Sequence, residues 1–351
     1  MSQNVETNYH HNSSSATNTT QPNPPNYQNF PKSLTPKPTC PKCISTNVIK
    51  SGIRHAKMKS VQRYLCKSCN TIFSHQPLPR TSYPTHVILN AISTYNLGYT
   101  LQLTRKIIRK RFKVDPREPT ILSWLKRYQD TCTFVNIRKR YVLDPKTCIK
   151  SKKLHHVQVY NFKYHQLKLN FAAKKFPKLR KYITEIFDKC PHNLFRAESP
   201  RCSSFKIHIK PTRITKHNNA TRLAAFAQNL ARSNTERHEK VEDFMLVNDS
   251  ATISTELPVF LHPDELTKDQ KEAYGIAIPD TLTGHIDIVQ VRYNNIHVLD
   301  YKPDAKVTDQ SAVEQVFLYA LALSKRTKIP IEKFTCAYFD ENYYYQFRTE
   351  L

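Results

Sequence analysis

The C-terminal third sets the tightest constraint on how this chain can fold. Thr252–Leu261 alternates with the period of two that a strand requires, and Gly284–Val291 and Ile296–Tyr301 are β-rich runs joined by the hairpin signal Arg292-Tyr293-Asn294-Asn295. Val313–Ser324 is then an apolar helix. Phe334–Phe339 and Tyr343–Phe347 read as two more strands around the turn Asp340-Glu341-Asn342. Strands, a helix and strands again imply an α/β core.

Two acids lie in that hairpin. Asp287 and Asp300 each sit within or at the end of one β-rich run, so the pairing can set them side by side. Two carboxylates at one point make a hard oxygen site suited to Mg2+ or Mn2+. Lys302 follows Asp300 by two positions and therefore projects from the same strand face, where it can meet a water or a phosphate oxygen. A metal that polarises a phosphate and acidifies its water, beside a lysine that steadies developing negative charge, is the minimum equipment for hydrolysing a phosphodiester. The competing reading is a strand pair with solvated charges. The aliphatic residues flanking Asp287 and preceding Asp300 argue against that placement.

Charge divides the chain. Residues 1–230 hold 41 basic and 8 acidic side chains, net +33, whereas residues 231–351 hold 13 and 20, net −7. The basic part should attract a polyanion, since each Lys or Arg at a phosphate releases a counterion; DNA is the expected partner, with RNA open and no membrane surface expected. There is no apolar run of the roughly 18 residues a membrane helix needs and no apolar leader, so an intracellular, cytoplasmic and nucleoid-associated location is expected. The four glycines, Gly52, Gly98, Gly275 and Gly284, are too far apart for a Gly-rich phosphate loop.

Cys40, Cys43, Cys66 and Cys69 form two CxxC pairs separated by 22 residues. The two-residue spacer lets both thiolates of one turn reach a tetrahedral Zn2+, and the second pair closes the site, so the zinc is structural. The other five cysteines share no ligand spacing, and His55 and His75 are surface or DNA-facing. The expected organisation is multidomain α+β: a disordered tail over 1–39, a zinc ribbon over 40–75, helices over 84–131, a basic, mostly helical DNA-binding region over 132–230 and an α/β domain over 231–351. Helix-spaced apolar residues run from Val87 to Tyr95, a basic amphipathic segment spans Leu101–Phe112, and a third helix runs from about Thr120 to Asp130. Another helix is expected from Ala220 through Leu230 and on past His238.

Two resemblances sharpen this. Tyr64-Leu65-Cys66-Lys67-Ser68-Cys69 with Phe73, followed by Gly98-Tyr99-Thr100 and Thr120–Leu125, resembles the ribbon and helix-turn-helix at the N-terminus of insertion-sequence transposases, and is compatible with a mobile-element origin. That likeness implies that the third helix lies in the major groove with Ser123, Lys126 and Arg127 facing DNA and Trp124 in the core; the bland alternative is a helical bundle with a basic face. No DDE-like set of carboxylates accompanies it. The string GHIDIV, then HVLDYKPD, then EQVFLYALAL is similar to the RecB-like branch of PD-(D/E)xK nucleases and implies a restriction-endonuclease-like core. By that likeness Asp287, Asp300, Lys302, Gln315 and Tyr319 are the catalytic set. Asp287, Asp300, the Tyr301 carbonyl and His238 would hold Mg2+ or Mn2+, with Glu239 or Glu242 in place of His238 as alternatives and Glu256 as a further acid. Pro303-Asp304 departs from the small polar residue and glycine usual after the lysine. The function implied is a metal-dependent deoxyribonuclease; a non-catalytic DNA-binding regulator and an RNA-processing nuclease stay open.

Overall fold

A computed structural model describes residues 38–56, 59–74, 78, 81–207, 209 and 214–348. The tail expected over 1–39, apart from its last two residues, lies outside the described residues, as does His75.

The chain begins with an antiparallel meander, β1 (Val48–Ala56), β2 (Lys59–Cys66) and β3 (Ile72–Ser74). One CxxC turn precedes β1 and the other joins β2 to β3, and the residue after each turn, Ile44 (φ 59°) and Asn70 (φ 56°), takes the left-handed backbone that folds the chain back on itself. Tyr64 and Phe73 are paired across β2 and β3, with ring centroids 5.9 Å apart.

Three helices follow, α1 (Thr85–Asn96), α2 (Leu101–Phe112) and α3 (Glu118–Tyr128). α1 buries Val87, Ile88, Ala91 and Ile92 at the spacing of one helix face. It stops where Gly98 takes φ +117°; a Cβ there would lie 2.6 Å from the Leu143 carbonyl oxygen. Thr100 caps α2 by accepting from the Leu103 amide at 3.2 Å, and Arg109, Lys110 and Arg111 occupy its last turn, where the helix dipole favours cations. α3 starts two residues before the expected Thr120, because Pro119 sits in the first turn, where no amide donor is required.

The rest comprises α4 (Phe134–Arg138), β4 (Ile149–His156), β5 (Gln158–His165), α5 (Gln166–Ala173), α6 (Pro177–Asp188), β6 (Ile214–Thr215), α7 (Asn219–Ala227), α8 (Arg237–Asn248), β7 (Thr252–Leu261), α9 (Lys268–Tyr274), β8 (Leu282–Arg292), β9 (Asn295–Tyr301), α10 (Gln310–Thr327), β10 (Phe334–Phe339) and β11 (Tyr344–Arg348). Among the described residues these strands form one sheet in the order β4-β5-β7-β8-β9-β10-β11-β6. Its neighbours are antiparallel except β9 and β10, whose parallel pairing needs the crossover that α10 supplies. The sheet thus draws strands from 149–165 and 214–215 as well as from 252–348, across the boundary expected at residue 231.

The helix expected to run unbroken from Ala220 past His238 is two helices. Between α7 and α8, Ser233, Thr235 and Glu236 bond locally: the Arg232 amide donates to Glu236 Oε2 at 3.0 Å and the Glu236 amide to Ser233 Oγ at 3.3 Å. Such polar side chains offer the backbone partners outside a helix.

The sheet is buried on both faces. Ile296, Val298, Cys336 and Tyr338 share one core with α5, α6 and α10, while Leu299, Tyr301, Ala337 and Phe339 share the other with α1, α3, α7 and α8. The alternation follows from the pleat. The N-terminal helices are tied to the sheet by buried polar contacts as well. Asn96 Nδ2 donates to Asn248 Oδ1 at 2.9 Å, and the buried Asp249 carboxylate accepts from Arg292, Gln290, Thr252 and Thr133. Because α1 and the sheet share one core, Ile88→Ala should cost about 2–5 kcal/mol. Helical and sheet signals should be lost in a single transition in circular dichroism and tryptophan fluorescence; a separate early loss of the Trp124 signal would contradict the shared core.

Candidate active site

The site opens where two strands part. β8 and β9 are paired as far as Ile288 opposite Leu299. Beyond that point the Tyr301 amide donates to Asp287 Oδ2 at 3.0 Å instead of to a strand carbonyl. The alternation of β8 also breaks there, since Ile286 and Val289, three positions apart, face the same core. Opposite, on β7, Glu256 takes a left-handed backbone (φ 50°). A non-glycine residue in that region costs about 1–3 kcal/mol and persists only where its surroundings hold it.

A cleft of about 340 Å³ lies over this opening, and Glu256, Asp287, Asp300, Lys302, Gln315 and Tyr319 line one part of it. Lys302 Nζ stands 3.1 Å from Asp300 Oδ2 and donates to Gln315 Oε1 at 3.0 Å. Gln315 Nε2 donates to Asp300 Oδ1 at 3.2 Å and to Tyr319 Oη at 2.9 Å. Gln315 and Tyr319 reach the cleft together because four positions on α10 bring side chains to one face. Tyr319 fits beside Gly284, where a Cβ would lie 2.3 Å from its ring. From α8, His238 Nε2 donates to Asp287 Oδ2 at 2.7 Å, and Glu242, one turn on, is buried beside them. α8 is itself anchored at its C-terminal end, where the buried Lys168 ammonium donates to the Leu246 and Asp249 carbonyls. Of the alternatives to His238, Glu239 is instead exposed, 3.9 Å from Lys163.

Residues 173–344 match the PD-(D/E)XK nuclease superfamily. This part of the chain is a PD-(D/E)XK nuclease domain. No curated protein and no solved structure matches the chain. The matched stretch starts at the end of α5, so the β4–β5 hairpin extends the nuclease sheet from outside it. Nucleases of this superfamily typically use divalent metals, and the residues of the cleft fit one. Glu242 Oε1 is buried and accepts no hydrogen bond. His238, Glu242 and Asp287 place their ligand atoms within 4.8 Å of one another. Carboxylate oxygens with one imidazole suit Mg2+ or Mn2+.

Electrostatics point the same way. Burial works to raise the Asp287 carboxyl, but the His238 and Lys302 cations outweigh it and hold it below the ordinary range. Burial and the Asp287 charge push Asp300 up to about 7, and the same two causes push Glu256 up to about 8. Burial opposes the charging of His238, yet Asp287 raises it to about 9, and Asp300 likewise holds Lys302 above its usual value against burial. The carboxyls of Glu242, Glu256, Asp287 and Asp300 thus gather around the cations of His238 and Lys302. After Lys302, Asp304 takes φ 59°; the sequence departs from glycine at a turn where glycine would be strain-free.

The opposite wall is formed by residues that sequence reasoning did not single out, among them His156, Tyr160, Arg196, Arg201 and His285. Arg201 arrives through a parallel bridge to Thr283 and donates to Tyr160 Oη at 3.3 Å. No local motif marks it, since its place depends on residues about 80 positions away.

Away from the cleft, the four N-terminal cysteines converge. Cys40 and Cys69 sulfurs are 3.5 Å apart, as are those of Cys43 and Cys66, close to the about 3.8 Å edge of a tetrahedron with 2.3 Å Zn–S bonds. The cluster is compatible with a zinc site. Ser123, Lys126 and Arg127 lie together on the exposed face of α3, opposite the buried Trp124. Among the described residues no helix is long and apolar enough to cross a membrane.

Gly284→Ala should displace the Tyr319 ring and loosen Gln315, costing about 1–3 kcal/mol by overpacking. Denaturant unfolding of the variant measures this; unchanged stability would mean that Tyr319 is free to move.

Proposed function

We propose that the protein is a divalent-metal-dependent nuclease that hydrolyses DNA phosphodiester bonds and is brought to DNA by its zinc ribbon and helix-turn-helix. The observation that carries this is the gathering of Asp287, Asp300 and Lys302, bridged by Gln315, in one buried cleft inside a PD-(D/E)XK nuclease domain.

Asp287, Asp300, the Tyr301 carbonyl and His238, with Glu242, would hold Mg2+ or Mn2+. Such an ion, when bound, draws charge from a phosphate and acidifies a water. Lys302 stays protonated beside the two aspartates and offers its ammonium to the non-bridging oxygens as negative charge develops. Gln315 fixes Lys302 and Asp300 relative to each other, and Tyr319 fixes Gln315. Arg196 and Arg201 on the facing wall supply positive charge for neighbouring phosphates.

The division of charge supports a polyanionic substrate. The acidic 231–351 segment shares its sheet with β4 and β5, and residues 131–351 together carry 35 basic and 24 acidic side chains, net +11. Ser123, Lys126 and Arg127 on α3 provide the DNA-facing surface, and the ribbon holds zinc through Cys40, Cys43, Cys66 and Cys69.

The test is cleavage of labelled DNA and labelled RNA by the full chain with Mn2+ or with EDTA. DNA should be cut only with the metal, and Lys302→Ala should slow cutting by about 10²–10³-fold with little change in DNA affinity. Undiminished cutting by Lys302→Ala removes the assigned site, and RNA cut in place of DNA reassigns the substrate. Replacing Ser123, Lys126 and Arg127 by alanine should weaken DNA binding and flatten its dependence on salt, measured by fluorescence anisotropy; an unchanged salt slope places the DNA surface elsewhere.

A further inference from the structure

We infer that His156, Cys190 and His192 form a second transition-metal site, apart from the cysteine cluster and on the side of the cleft wall opposite the carboxylates. His156 closes β4, Cys190 lies two residues beyond α6, and His192 opens the short helical turn that follows. Their ligand atoms lie within 4.8 Å of one another. His156 Nε2 is 2.8 Å from His192 Nδ1 and 3.8 Å from Cys190 Sγ.

Hydrogen bonding alone does not account for this convergence. An imidazole nitrogen has either one proton or one in-plane lone pair, so His156 Nε2 can serve one partner and not two. A cation among the three atoms takes a lone pair from each. The surroundings of His156 match those of a ligating histidine. Its other nitrogen, Nδ1, is 2.8 Å from His285 Nε2, the kind of partner that fixes ring orientation and tautomer. Its ring stacks on Phe195 with centroids 4.1 Å apart and planes within 9°. His156 and Cys190 are buried while His192 is exposed, which leaves a path for an ion to enter from solvent.

Two imidazoles and one thiolate select Zn2+ over Mg2+ or Mn2+, which prefer oxygen. Cys190 gives up its proton to solvent as the Zn–S bond forms, and three protein ligands leave the fourth position to water. The site fastens the segment after α6 to the end of β4. That segment carries Phe195 and Arg196 onto the cleft wall, and His285, which braces His156, is two residues from Asp287 on β8. The ion would thus set the shape of the wall facing the carboxylates without touching the reacting phosphate.

The test is metal content of the full-length protein after dialysis against Zn2+ and then metal-free buffer, by mass spectrometry, with Co2+ as a spectroscopic probe. Cys190→Ser and His192→Ala should each hold about one equivalent of zinc less than the unaltered chain and keep its circular dichroism. In Co2+-loaded protein, each should lose the absorption of a single-thiolate site while the bands of a four-thiolate site persist. Because His192 is exposed, its replacement keeps the test open if Cys190→Ser fails to fold. Zinc content equal to that of the unaltered chain in either folded variant overturns the proposal. The readout does not depend on cleavage, so it stands apart from the nuclease assay.

Discussion

The arrangement of the site depends on one hydrogen bond, from the Tyr301 amide to the Asp287 carboxylate. Where β8 and β9 would have continued as a ladder, a side chain takes the place of a backbone acceptor. The strands can then separate without leaving the amide unpaired, which in a buried position would cost on the order of 1–3 kcal/mol. The gap is the cleft. Asp287 can occupy it as an anion because His238 and Lys302 offset its burial, whereas burial and neighbouring negative charge hold Asp300, Glu242 and Glu256 above the ordinary carboxyl range.

The elements around that gap are held from both sides of the sheet. On one face α10 supplies Gln315 and Tyr319; on the other α8 supplies His238 and Glu242, and α8 is fixed by Lys168 and by the asparagine contact to α1. The N-terminal helices therefore belong to the same core as the nuclease strands. This changes the meaning of the charge division. Read linearly, an acidic C-terminal segment would repel DNA; folded, it shares its sheet with a lysine-rich hairpin, and Arg196 and Arg201 line the cleft opposite the acids.

Much of this is legible in the sequence. The β7, β8–β9, α10 and β10–β11 segments announce themselves by period and by turn residues, and the D, DxK, QxxxY order names the side chains that the structure gathers in the cleft. Helix ends were less legible. Pro119 reads as a break but sits inside the first turn of α3, and the apolar spacing from Ala220 onward hides the Ser233–Glu236 turn. The β4–β5 hairpin was missed because its lysines dilute the alternation, Lys150, Lys152 and Lys153 lying in β4 and Lys163 in β5.

The sequence by itself determined what depends on neighbours a few positions apart: strand and helix periods, the CxxC turns, the carboxylate–lysine spacing on β9 and the glutamine–tyrosine spacing on α10. Only the tertiary structure decided which distant segments share a surface. The order of strands in the sheet, the arrival of Arg201 beside Thr283, the choice of Glu242 over Glu239 to face the acids, and the meeting of His156, Cys190 and His192 all follow from packing between residues tens of positions apart. Side-chain period says which face is buried, but not against what.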